Sequence, residues 1–159
     1  MSKSDVRKFN CISNNAPSQG SLYDVWKQLK NQASFIQSES EELSEGCKLE
    51  DMENVIKEWA DVKYTLVYME QLLQAFGVDT SAAFEAVCEN NNSKFTQSYV
   101  YAQESQEHLD SKGVDCYVES TVYEGETYYT VRRSEDGKVL KLKHYESLDL
   151  SHLVPVEFR

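Results

Sequence analysis

Between Ser21 and Leu109 the chain has no proline, and its only glycines there are Gly46 and Gly77. Without residues that break an α-helix, a stretch this long and polar-apolar in pattern is read as a few long helices. The two glycines lie where the helical patterns stop, as C-terminal caps do. The spacing therefore predicts helices over about 21–45, 50–76 and 80–108, the third beginning at Asp79 or Thr80. A short amphipathic piece, Val6 to Ile12, precedes them, followed by the turn-rich run Ser13-Asn14-Asn15-Ala16-Pro17-Ser18-Gln19-Gly20.

From Val114 the texture changes. Tyr117–Tyr123 alternates, Glu124-Gly125-Glu126 interrupts, Thr127–Val131 follows, and Ser134-Glu135-Asp136-Gly137 signals a turn before Lys138–Lys143. These residues predict a small antiparallel meander, too small to stand alone and so expected to pack on the helical core or on a neighbouring subunit. The expected fold is mainly α, a three-helix bundle with a short N-terminal helix and a C-terminal β meander. The domain reading is 1–109 for the helical part and 114–159 for the β appendage.

On a helical wheel the first long helix gathers Val25, Leu29, Ile36 and Leu43, widened by Leu22, Trp26, Ala33 and Phe35. Glu39 falls inside that arc and Glu42 at its edge, while Glu41 and Glu45 point away. In the second helix Val55, Val62, Leu66, Met69, Leu73 and Phe76 define the stripe, with Glu58 inside it and Asp61 at its edge. A glutamate on a helix is ordinarily a solvated charge or half of an i,i+4 pair. Two acid pairs at matching positions on consecutive helices ask for more. Carboxylates held from water persist as anions only beside cations, and an all-oxygen donor set selects Mg²⁺, with Mn²⁺ as a substitute. The three histidines, His108, His144 and His152, form no ExxH signature of a di-iron bundle.

Composition narrows the partners. A net charge of −11 excludes a basic nucleic-acid-binding face, and phosphate contact by such a chain needs a bridging divalent cation. No apolar run approaches the ~20 residues of a membrane span, and residues 1–5 lack a signal-peptide core, so the expected compartment is cytoplasmic. Cys11, Cys47, Cys88 and Cys116 stand far apart without a CxxC pair and are read as free thiols. On the third helix Phe84, Val87, Asn91 and Lys94 share a face, which places an amide and an ammonium where phosphate oxygens could be met.

At these motifs the chain resembles the all-α nucleoside triphosphate pyrophosphohydrolases, the MazG-like superfamily. Glu39-Ser40-Glu41-Glu42-Leu43, Glu58-Trp59-Ala60-Asp61 and Asn91-Asn92-Ser93-Lys94 match its E(E)xxE, ExxD and NxxK elements in order. Glu41-Glu42-Leu43-Ser44-Glu45 spells a second EExxE. Ile36 before and Leu43 after favour the register of Glu39 and Glu42, in which Ser38 stands where fuller motifs carry a first glutamate.

The resemblance implies Glu39, Glu42, Glu58 and Asp61 as Mg²⁺ ligands. It also implies Glu41 or a metal-activated water in the base role, Asn91 and Lys94 on the substrate, and Phe9 beside the base. The implied reaction converts a nucleoside triphosphate, dCTP or dUTP, or dGTP or dATP, to the monophosphate and pyrophosphate, in a homodimer or homotetramer. A small β tail like Val114–Phe158 also resembles phage-encoded members, which would act in the host cytoplasm. Phosphoribosyl-ATP pyrophosphohydrolase and a non-catalytic acidic interaction protein are the alternative readings.

Overall fold

The computed structural model describes residues 3–159 and divides them into two compact units, one of residues up to 80 together with 152–159, the other of residues 81–151. It is mainly helical with a small antiparallel sheet of three strands, as expected. The packing boundary at 80/81 lies upstream of the change in sequence texture near 109–114.

In the first unit, α1 (Lys3–Ile12), α2 (Leu22–Lys48) and α3 (Met52–Ala75) follow in order. Ser21 and Asp24 form a reciprocal capping box at the start of α2. Asp51 caps α3, its carboxylate accepting from the Asn54 amide at 3.2 Å. With only three residues between them, α2 and α3 run antiparallel. The buried Gln32 of α2 ties them together, donating from Nε2 to the Thr65 carbonyl at 2.8 Å.

Gly46 corrects the sequence reading. It lies inside α2 rather than ending it and is buried, and a Cβ there would stand 3.0 Å from Asn54 Nδ2 and 3.4 Å from the Val55 backbone nitrogen. Its role is close approach of the two helices, which brings the start of α3 against the end of α2. Gly77 does behave as a cap residue, at φ +86°.

The core of this unit joins Val6, Val25, Tyr68, Leu72 and Phe76, with Leu29, Tyr64, Val67 and Phe158 packed around them. The C-terminal residues thus return to the first unit, where Phe158 meets Trp26 edge-on at 6.1 Å. Leu66, expected in the α3 stripe, is exposed, as are Leu22, Trp26 and Phe35 on α2. The buried side of α3 is centred on Tyr68 and Leu72 because α1 and the tail, as well as α2, cover that side.

The expected third helix is two. α4 (Thr80–Asn92) ends in the run Asn90-Asn91-Asn92-Ser93, whose side chains compete for backbone bonds, and α5 (Tyr99–Asp110) restarts behind the cap Ser98. Between them β1 (Phe95–Thr96) pairs antiparallel with β3 (Glu126–Arg133), which pairs in turn with β2 (Cys116–Tyr123). The expected strand Lys138–Lys143 makes only one bridge, Val139 to Arg132. Its chain leaves the sheet because Leu142 is drawn into the core of Cys116 and Val131, beneath Tyr101 and Leu109 of α5. The Lys143 amide is held there by Ser105 Oγ at 3.1 Å. No helix among the described residues is long and apolar enough to cross a membrane.

Candidate metal centre

Glu39 of α2 and Glu58 and Asp61 of α3 each offer a carboxylate oxygen, and these oxygens lie within 4.8 Å of one another. The antiparallel pairing of α2 and α3 makes this possible, and the i,i+3 spacing of Glu58 and Asp61 puts both on adjoining turns.

Glu58 is only 3% exposed, and its two oxygens differ. Oε1 accepts from Lys57 Nζ at 2.5 Å, whereas Oε2 is buried with no hydrogen-bond partner among the described residues. An ionised oxygen removed from water and left unpaired is among the costliest features a fold can carry. Burial, and then the charges of Glu42, Asp61 and Glu58, push the Glu39 carboxyl above its ordinary range, with Lys57 opposing. Lys57 is itself held protonated, first by its bond to Glu58, and lies 3.8 Å from Asp61.

The donor set fits a hard divalent cation. It is all carboxylate, it repels itself, and it includes a residue with a buried, unsatisfied oxygen, so a metal ion would remove each of these costs together.

The other expected residues are distributed as follows. Glu42 is exposed and outside the trio, although near enough for its charge to act on Glu39. Glu41 is exposed and accepts from Gln37 Nε2 at 2.8 Å, turned along the helix surface. Asn91 and Lys94 lie in the second unit, where Lys94 Nζ donates to Asn91 Oδ1 at 2.6 Å. Phe9 is exposed and meets Tyr64 edge-on at 6.1 Å.

Sequence reasoning missed Lys57. It is one residue from the ExxD glutamate and off its wheel position, but four residues before Asp61, and that i,i+4 spacing was the available signal. Also missed was a groove of about 410 Å³ between α1 and α3, lined by Val6, Trp59, Asp61, Lys63 and Tyr64 among others. Lys63 Nζ stands over the Trp59 ring at 5.2 Å.

A family model described as PRA-PH, phosphoribosyl-ATP pyrophosphohydrolase, matches residues 13–91, which takes in Glu39, Glu58 and Asp61. No curated protein and no solved structure matches the chain. The match indicates a pyrophosphohydrolase acting on a nucleotide, in a family that is typically dependent on divalent metal. Residues 13–91, with paired acids on two antiparallel helices, thus match a family of the all-α, MazG-like NTP pyrophosphohydrolase superfamily.

Proposed function

We propose that the chain is an Mg²⁺-dependent hydrolase that splits a nucleoside triphosphate into the monophosphate and pyrophosphate. The observation that carries this reading is the buried, unpartnered Oε2 of Glu58 within a trio of carboxylates. Glu39, Glu58 and Asp61 hold the metal, and Glu42, at the rim, completes the set. Bound Mg²⁺ lowers the pKa of a water molecule and neutralises charge that develops on the phosphate oxygens.

The chain's own groups do the rest. Glu41 turns from Gln37 to take the proton of the attacking water. Asn91 and Lys94, paired with each other in the second unit, are the groups that the resemblance assigns to phosphate oxygens. Lys57 shields the acids from one another until substrate arrives. Phe9, through its contact with Tyr64, adjoins the α1–α3 groove, whose Trp59 and Tyr64 offer ring faces to a base.

The working form is a homodimer or homotetramer. Met52, Ile56, Trp59 and Leu66 are exposed along one side of α3 at helical spacing, as a helix awaiting a neighbour in a bundle would be.

A panel of the eight common ribo- and deoxyribonucleoside triphosphates, assayed for pyrophosphate with Mg²⁺, tests the reading and reports the base preference among dCTP, dUTP, dGTP and dATP. Absence of turnover on all of them overturns it. The family match favours one second reading, phosphoribosyl-ATP as substrate, and turnover of that compound alone would select it.

A further inference from the structure

The β2–β3 hairpin closes through Glu124 and Gly125, at φ 50° and 83°, the positive values of a two-residue type I′ turn. In such a hairpin the closing pair, here Tyr123 and Glu126, exchanges its backbone hydrogen bonds, and the bonded pairs then alternate. Tyr117, Glu119, Thr121 and Tyr123 therefore direct their amides and carbonyls to β3. Those of Val118, Ser120 and Val122 point out of the sheet. The strand order β1-β3-β2 leaves that side of β2 as an edge. Nearer the core the edge is covered, since Gln106 Nε2 of α5 donates to the Cys116 carbonyl at 2.8 Å. Beyond it, residues 120–127 are exposed, with Val122 at 70% and Tyr123 at 63%.

Soluble proteins protect such an edge with lysine, proline, a bulge or a covering segment. Cys116-Tyr117-Val118-Glu119-Ser120-Thr121-Val122-Tyr123 has no lysine, no proline and no glycine. Its one charge, Glu119, is paired with Arg132 of β3. In a chain of net charge −11, where copies repel one another, this is an edge on which no unpaired charge opposes contact.

We propose that the β2 edge pairs antiparallel with the β2 edge of a second copy, about a two-fold axis at Ser120. This register places Ser120 against Ser120, Val118 of each copy against Val122 of the other, and Tyr117 against Tyr123. It joins the outward amides and carbonyls of Val118, Ser120 and Val122 to one another. It also sets each exposed Val122 beside a Val118 that already packs on the core under α5. The alternatives are poorer. An axis at Glu119 brings two glutamates face to face, an axis at Thr121 loses the tyrosine pairs, and a one-residue slip faces outward groups with inward ones. The self-complementarity about Ser120 selects a second copy over a foreign strand. The proposal stands apart from the catalytic reading and survives its failure.

The test uses the full chain. Light-scattering mass after gel filtration is compared for the wild type and Val122→Lys, a change at an exposed side chain that leaves the fold intact. Ser120→Cys and Thr121→Cys are then made with Cys11 and Cys47 replaced by serine and oxidised mildly. Val122→Lys should halve the assembly mass. Ser120→Cys should form a covalent dimer, because directly opposed residues of a bonded pair stand ~5.5 Å apart at Cα, within disulfide reach. Thr121→Cys should not. A monomeric wild type, an unchanged mass for Val122→Lys, or cross-linking by Thr121→Cys in place of Ser120→Cys overturns the proposal.

Discussion

Two glutamates on α3, Glu58 and Glu70, meet their surroundings in opposite ways. Glu70 sits at the half-exposed end of the helix, and Lys3 reaches across from α1 to both of its oxygens, at 2.8 and 2.9 Å. Glu58, nearly all buried, has a lysine from its own helix on one oxygen and, among the described residues, no hydrogen-bond partner on the other. A structural ion pair satisfies a carboxylate and costs the fold little. A carboxylate left unsatisfied beside two more acids carries a cost that a bound cation would remove. The difference separates an acid whose partner lies within the fold from one that the proposed metal would complete, although both occupy the same helix.

The strongest way to break that comparison is to neutralise each acid in turn. Glu58→Gln should lower kcat/KM for the preferred triphosphate by about 10²–10³-fold or more, the scale of losing one electrostatic contact to the reacting phosphate. Its stability without metal should be unchanged or higher, since repulsion with Glu39 and Asp61 is relieved. A Glu58→Gln enzyme within tenfold of wild type would refute the assignment.

Metal response comes next. At 100-fold over its Kd, Mg²⁺ should add about 2.7 kcal/mol to the native state. In a chain of this size each kcal/mol is worth roughly 2–4 °C in Tm. Calorimetry should show that upward shift for wild type and for Glu70→Gln, and lose it in Glu58→Gln. A wild-type Tm indifferent to both Mg²⁺ and Mn²⁺ would mean that the acids coordinate nothing.

Smaller still is the effect of Glu70→Gln on stability. The pair with Lys3 is largely solvent-facing, and its loss should cost about 0.2–1 kcal/mol, with turnover retained. Denaturant midpoints measure this directly, and a loss of several kcal/mol would show that Glu70 is no ordinary surface pair.

How far the sequence carried the argument follows from the same local rules. The convergence of Glu39, Glu58 and Asp61 was legible because a charge inside or beside an apolar arc is conspicuous at helical period, and α2 and α3 are long enough for the period to be clear. Glu42, read at the edge of its stripe, is exposed and outside the trio, and a wheel gives angle about one axis and not which neighbour covers each angle. For the same reason Leu66 was assigned to a core that α1 and the C-terminal residues drew toward Tyr68 and Leu72. The break at Asn90–Ser93 was written in poor helix formers, yet the absence of glycine and proline outweighed it. Lys138–Lys143 alternates like a strand, but Leu142 gains more by burial under α5 than by extending the ladder. Lys57 escaped because a long side chain reaches positions that its Cα does not share.

Cys116, a buried titratable group of the second unit, contrasts with Glu58. Cys116 is 5% exposed, and burial, followed by its contact with Asp110 and the charges of Asp110 and Asp115, pushes its thiol up to about 11. Here the neutral form suits the site, so no ion is called for. The folded state binds this proton more tightly than the unfolded chain, whose thiol titrates near 9.0. The resulting stabilisation is complete below that value and is lost as pH rises from there toward 11. At pH 8, therefore, iodoacetamide should modify the exposed Cys11 and Cys47 first and Cys116 much more slowly, since burial both shields its thiol and raises its pKa. Mass spectrometry of a labelling time course resolves the sites. If Cys116 reacted as fast as Cys11, the second unit would open readily at α5, and the contrast between a satisfied thiol and an unsatisfied carboxylate would lose one of its sides.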